Sequence, residues 1–134
     1  MREIKRILMA LWLVGMLAVG SVGASFSRAI VNDKVTVAAG NYVYYQFSVS
    51  SDTEIKGRFR AEGGSGNDIE VYILDSDGFE NWRNGHRANT WYNSGRVTVA
   101  NIRARVPRGE YYLIFNNNFS TFSNKVVSTT VQTD

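Results

Sequence analysis

The only histidine of this chain, His86, lies in "GFENWRNGHRANTWYNSG", residues 78–95, among Trp82, Arg83, Arg87, Trp91 and Tyr92. Just upstream, "ILDSDGFE" brings Asp75, Asp77 and Glu80 together in sequence. These are the residues that could do chemistry. Nucleophilic catalysis of the Ser-His kind needs a base beside its nucleophile, but His86 sits among Asn and Arg with no Gly-x-Ser-x-Gly elbow. A zinc site needs three or four imidazole or thiolate ligands, more than one histidine and no cysteine can supply. Asp75, Asp77 and Glu80, with Asp68 nearby, offer oxygens to calcium. Their spacing matches only half of an EF-hand loop, and Asp-Ser-Asp-Gly is also an ordinary turn. The same carboxylates could be paired for glycoside hydrolysis, but aspartates in a turn are poor candidates for a raised pKa. A small calcium-dependent or acid/base hydrolase using the acidic turn 75–80 and His86 is therefore the second reading. The first expects no catalytic residue, no metal and no cofactor.

That first reading is binding. Trp, Tyr and Arg are the side chains enriched at interface hot spots, and exposed aromatic rings stack on sugars. Trp82, Arg83, His86, Arg87, Trp91 and Tyr92 are accordingly the expected binding residues, toward a protein or a surface glycan. A loop of this length is uncommon inside a compact domain, and its large aromatics argue against disorder. The bland alternative folds Trp82 and Trp91 back to cap one open end of the β-sandwich that the flanking strands predict.

Those strands show a period of two. In "NYVYYQFSVS", Val43, Tyr45, Phe47 and Val49 share one face; Tyr42, Tyr44, Gln46 and Ser48 share the other. In "EIKGRFRAE", Ile55, Gly57, Phe59 and Ala61 alternate with Lys56, Arg58, Arg60 and Glu62, the pattern of a half-buried antiparallel strand. "RVTVANIRARV" alternates out of phase, Val97 and Val99 first and then Ile102, Ala104 and Val106, which a bulge near Ala100 or Asn101 would reconcile. "AIVNDKVTV", "IEVYILD", "YYLIF" and "KVVSTTV" complete the set, with turn signals between them. No segment of helical length has a convincing apolar stripe. The pattern predicts an all-β fold, a single antiparallel jelly-roll-like β-sandwich of about 7–8 strands.

Residues 1–24 stand apart. "MREIKR" is basic, Ile7 to Val19 is an almost unbroken apolar run, and "SVGA" supplies small residues, the three regions of a secretory signal peptide cleaved after Ala24. The run is short for a spanning helix, which needs roughly 20 apolar residues, so no membrane span is expected in the mature form. Residues 25–134 then form one domain, in the periplasm or outside the cell and of bacterial type. The whole chain has 15 Lys+Arg against 12 Asp+Glu, and the leader takes Arg2, Lys5, Arg6 and Glu3 with it, leaving a nearly balanced domain. Such balance gives no general reason to expect nucleic acid, whose binders carry clustered positive charge. The local runs Lys56, Arg58, Arg60 and Arg103, Arg105, Arg108 are expected to be solvated strand faces. Without cysteine the domain has neither disulfides nor a lipobox, and packing alone must hold it.

The stretch "GEYYLIFNNNFSTFSNKVV" puts Asn116, Asn117 and Asn118 between two apolar runs. Asn bonds to nearby backbone and tolerates left-handed conformations, so the knot is expected to be a sharp corner with Phe119 and Phe122 buried beneath it. The stretch resembles the close of a GOLD (Golgi dynamics) domain, with Gly109, Tyr111, Phe115, Asn117, Phe119, Ser120, Ser123 and Lys125 matching in register. Asn116 stands where that family usually has Asp, and Asn118 where it often has Ser. The family's cargo receptors also carry a cysteine pair, a coiled coil and a membrane span, none of which is found here, so vesicle traffic is not carried over. The resemblance implies a β-sandwich that binds proteins or lipids and has no enzymatic activity.

Overall fold

The computed structural model describes residues 5–7, 28–62 and 66–134. The expected leader lies outside the described residues, apart from one short strand, β1 (Lys5–Ile7). The domain is built from β2 (Arg28–Val37), β3 (Tyr42–Val49), β4 (Thr53–Glu62), β5 (Ile69–Asp75), α1 (Ser76–Arg83), β6 (Tyr92–Val97), β7 (Val99–Val106), β8 (Gly109–Asn116) and β9 (Lys125–Thr133). Two four-stranded antiparallel sheets, β3-β8-β5-β6 and β2-β9-β4-β7, make the all-β, jelly-roll-like sandwich that the alternation predicts. β1 runs parallel beside β3, with Lys5 opposite Val43 and Ile7 opposite Tyr45. Among the described residues no helix is long and apolar enough to cross a membrane.

The inner faces are the apolar halves of each alternation. Phe59, Ile73, Leu113, Phe115 and Val131 are almost wholly removed from water. Burying side chains of this kind stabilises by about 1.5–3 kcal/mol each, which a cysteine-free domain must use in place of covalent ties. Tyr45 belongs to this core, and burial together with the Asp33 carboxylate pushes its phenol up to about 12. Burial also raises Tyr72, Tyr92, Tyr111 and Tyr112. A phenol whose folded pKa lies above its unfolded value contributes stability that is complete below the unfolded pKa and is lost above it. The melting temperature is therefore expected to fall as pH rises from 10 toward 12. The fall should be shallower in Tyr45→Phe, and a pH series of thermal melts on both proteins checks this. A wild-type melting point level across that range would be incompatible with the buried phenols.

Three local expectations are corrected. "RVTVANIRARV" holds no bulge at Ala100 or Asn101. Instead the chain changes sheets at Thr98, since β6 pairs with β5 and β7 with β4. The Thr98 carbonyl accepts a bond from the Ala61 N–H at 2.8 Å, and this one residue between strands produces the phase change. Irregularities of pairing fall instead in the β5–β6 ladder, between Glu70 and Tyr72, and in the β2–β9 ladder, between Ala29 and Val31.

The second correction is a helix, α1, inside the stretch expected to be a loop; its eight residues are too few for a periodicity to show. The third concerns the corner. Asn117 is completely buried, and its Nδ2 donates to the carbonyls of Val37 at 3.1 Å, Ala38 at 3.3 Å and Ser123 at 2.8 Å. The corner is thus held by an amide, as expected, but not by two buried rings. Phe122 is 91% exposed, and Phe119 is half-buried with the Arg96 guanidinium 3.9 Å from its centroid. Carbonyl groups that leave the strand ladders need donors, and Asn117 supplies them, so the turn does not require an apolar plug.

Candidate binding site

The segment singled out by its aromatics begins at the end of β5. Asp75 is the N-cap of α1: its backbone is extended and its Oδ1 accepts the Gly78 N–H at 2.7 Å. That bond satisfies one of the open donors of the first turn, and Asp77 in that turn and Arg83 in the last complement the helix dipole. The acidic turn 75–80 is therefore a helix start. Asp75 is committed to its cap, and Asp77 and Glu80 are exposed. Among the described residues no three His, Cys, Asp or Glu side chains converge on a place for a metal ion. Gly85 ends the helix with a φ of +81°, the left-handed cap that favours glycine, while its N–H donates to the Trp82 carbonyl at 3.0 Å.

The helix lays Phe79 and Trp82 onto the outer face of the β3-β8-β5-β6 sheet. There Tyr42, Leu74 and Ile114 form a second apolar cluster, flanked by Tyr44, Tyr72 and Tyr112. Phe79 stacks on Tyr112 with centroids 4.1 Å apart, and Trp82 meets Tyr42 edge-on at 4.8 Å and Tyr72 at 5.7 Å. Aromatic pairs in these geometries contribute about 0.5–1.5 kcal/mol beyond their burial. The Arg83 guanidinium lies 5.1 Å from the Phe79 ring. Trp82 and Arg83 thus belong to a helix packed on the sheet. The sequence offers a trace of this platform: Tyr42, Tyr44, Tyr72 and Tyr112 all fall on outward positions, more rings than a solvated face requires.

Beyond Gly85 the chain carries His86 and Arg87 into solvent and returns to pair with β5, the Trp91 N–H donating to the Ile73 carbonyl at 2.8 Å. Trp91 stands edge-on to Tyr111 at 6.2 Å and keeps 42% of its surface exposed. Tyr92 turns toward the inter-sheet core, and its hydroxyl donates to the Asn101 carbonyl at 2.8 Å. The six expected residues are therefore not one cluster. Trp82 and Arg83 lie on the outer face, Tyr92 against the core, and His86, Arg87 and Trp91 on the connection between them.

An ion pair that the sequence did not announce lies at the opposite end of the sandwich. Lys125 is 1% exposed, and its Nζ donates to the Asp68 carbonyl at 2.8 Å and to Asp68 Oδ1 at 2.9 Å. The same ammonium is 5.2 Å from the centroid of Phe119. Glu70 beside it accepts from Asn116 Nδ2 at 2.8 Å and from the Tyr72 hydroxyl at 2.9 Å. Every member of this group is already engaged within the fold. It is a tie between sheets.

Compared with known proteins, residues 34–134 match the family described as emp24/gp25L/p24 family/GOLD. No curated protein matches. Two solved structures are similar in fold. One is the pre-peptidase C-terminal domain of collagenase from Bacillus anthracis, at 13% identity and a TM-score of 0.48, covering 93% of this chain and 92% of that one. The other is PliG, a periplasmic lysozyme inhibitor of g-type lysozyme from Aeromonas hydrophila, at 9% identity and a TM-score of 0.48, covering 97% and 96%. Both likenesses are too distant for a functional argument.

Proposed function

This chain belongs to the emp24/gp25L/p24 family/GOLD, a family of non-catalytic interaction modules, and from that premise we propose that it is an exported module of bacterial type that binds a protein or a glycan through residues 82–92. Export rests on the n-region, h-region and small-residue ending of residues 1–24, and places the domain in the periplasm or outside the cell.

The observation that carries the reading is Trp91. A ring of this size left 42% exposed, on a connection that also presents His86 and Arg87, is what an interface anchor looks like before its partner arrives. Arg83 borders this surface, and Trp82 and Tyr92 hold its two ends to the sandwich.

The two tryptophans should respond differently to truncation. Trp82→Ala removes the ring that Tyr42, Tyr72 and Phe79 pack against, and is expected to cost about 2–3 kcal/mol, below the figure for a fully buried ring. Trp91→Ala with Arg87→Ala should leave the melting temperature within about 3 °C, in line with surface substitutions, and should abolish capture on a glycan array or by a cross-linked partner. Binding unchanged in that double variant would rule out this surface.

A further inference from the structure

The two basic runs of the sequence come from strands far apart in the chain, and the fold lays them side by side. β4 pairs with β7 so that Lys56 faces Arg103, Arg58 faces Asn101 and Glu54 faces Arg105. On its other side β4 pairs with β9, Lys56 facing Gln132, Arg58 facing Thr130 and Arg60 facing Ser128. β2 extends the rows, Lys34 opposite Ser128 and Asn32 opposite Thr130. Lys34, Lys56, Arg58, Arg60, Arg103 and Arg105 are all exposed on the outer face of this sheet, while the residues between them point into the core. Arg108, in the turn before β8, does not join them.

Solvation alone does not explain the grouping. Residues directly opposite on neighbouring strands hold their Cβ atoms about 4.5–5.5 Å apart, and like charges in that position are destabilising. Lys56 and Arg103 are such a pair. Glu54 answers part of the charge, accepting from Arg103 Nε at 2.7 Å, and that bond holds its carboxyl below the usual carboxylate range. Among the described residues Lys56, Arg58, Arg60 and Arg105 carry no ion pair. With the leader removed the domain is nearly balanced overall, so this face is a local excess of cations and not a reflection of net charge.

We propose that the outer face of the β2-β9-β4-β7 sheet binds an anionic polysaccharide, a glycan chain carrying carboxylate or sulfate groups. The cations supply the charge complement. The side chains set among them, Asn32, Asn101, Ser128, Thr130 and Gln132, are the amides and hydroxyls that hydrogen-bond sugar hydroxyls. A membrane surface is a worse fit, because interfacial binding seats Trp, Phe or Leu in the acyl boundary and the apolar side chains here are Val99 and Val126 at the rim. Single-stranded nucleic acid needs rings for base stacking, and among the described residues this face has none. The surface stands independently of residues 82–92.

The test uses the exported protein with heparin as the sulfated probe, polygalacturonate as the carboxylated one, and phosphatidylglycerol vesicles as the lipid control. Lys56→Gln/Arg58→Gln/Arg105→Gln is expected to weaken binding to one or both polysaccharides by about tenfold or more and to flatten its salt dependence, as losing counterion-releasing contacts does. Arg58→Gln alone should weaken it measurably, whereas Arg108→Gln, which removes one charge away from the face, should change it less than about twofold. Lys56→Gln should also melt at or above the wild-type temperature in low salt, because it relieves the opposition to Arg103. Binding to neither polysaccharide, equal binding by the triple variant, or binding to the vesicles alone would overturn the proposal.

Discussion

Gly57→Ala is expected to destabilise the fold severely, although it adds one methyl group at an ordinary strand position. Gly57 lies in the middle of β4 and is paired on both sides, to Ile102 of β7 and to Val131 of β9. A Cβ there would collide with the Thr130 carbonyl oxygen and stand 2.7 Å from the Val131 Cα. Both obstacles are backbone, so no rotamer change relieves the contact, and β9 can retreat only by giving up its ladder to β4. Overpacking in a core typically costs 1–3 kcal/mol when side chains can yield; here the cost should be at least about 3 kcal/mol, among the largest effects of single substitutions. For a domain of this size that is a fall of about 10 °C or more in melting temperature. Urea denaturation of Gly57→Ala beside wild type is the measurement, and a loss under about 1 kcal/mol would refute the close approach of β4 and β9.

The second large effect comes from the pair Lys125–Asp68, and it is asymmetric. Lys125 opens β9 in one sheet and Asp68 leads into β5 of the other, so the bond between them ties the two sheets together at this end. Asp68→Ala leaves an ammonium 1% exposed with the Asp68 carbonyl and the face of Phe119, but without its counter-charge. Breaking a buried pair from one side costs about 3–5 kcal/mol. The lower end is expected, because the Asp68 side chain is 29% exposed and water can reach its place. Lys125→Met should cost less than about 1.5 kcal/mol: the chain's volume is kept, and the remaining carboxylate can be hydrated. Adding Lys125→Met to Asp68→Ala should then restore most of the loss. Denaturation midpoints of the three variants and wild type close the cycle. A double variant as unstable as Asp68→Ala alone would show that Asp68 acts through the conformation of its loop and not through charge.

Parts of the molecule were legible in the residues because their cause is local. The alternation of β3 and β4 is a property of neighbours two apart, so their inner faces follow from it without knowing which strand pairs with which. Asn117 was legible for the same reason, since a buried corner amide is recognisable by its own short stretch. The candidate surface was legible only in part. Trp91 keeps a large exposed area, but Trp82 sits on a helix whose start is one aspartate's bond to one backbone N–H. Asp-Ser-Asp-Gly does not distinguish that helix from a turn. Phe122 is exposed although its apolar character suggests burial, because the Asn117 amide already holds the corner.

By itself, then, the sequence determined an all-β sandwich, the inner faces of β3, β4, β5 and β9 and the corner before β9, all of them consequences of side-chain period and local backbone preference. Only the tertiary structure decided that Lys125 meets an aspartate 57 residues away, that Gly57 lies against the backbone of β9, and that two basic runs more than forty residues apart share one sheet. Each of these depends on which strands become neighbours. Strand order follows from the best joint burial of all the apolar faces at once, and no single stretch of the chain contains it.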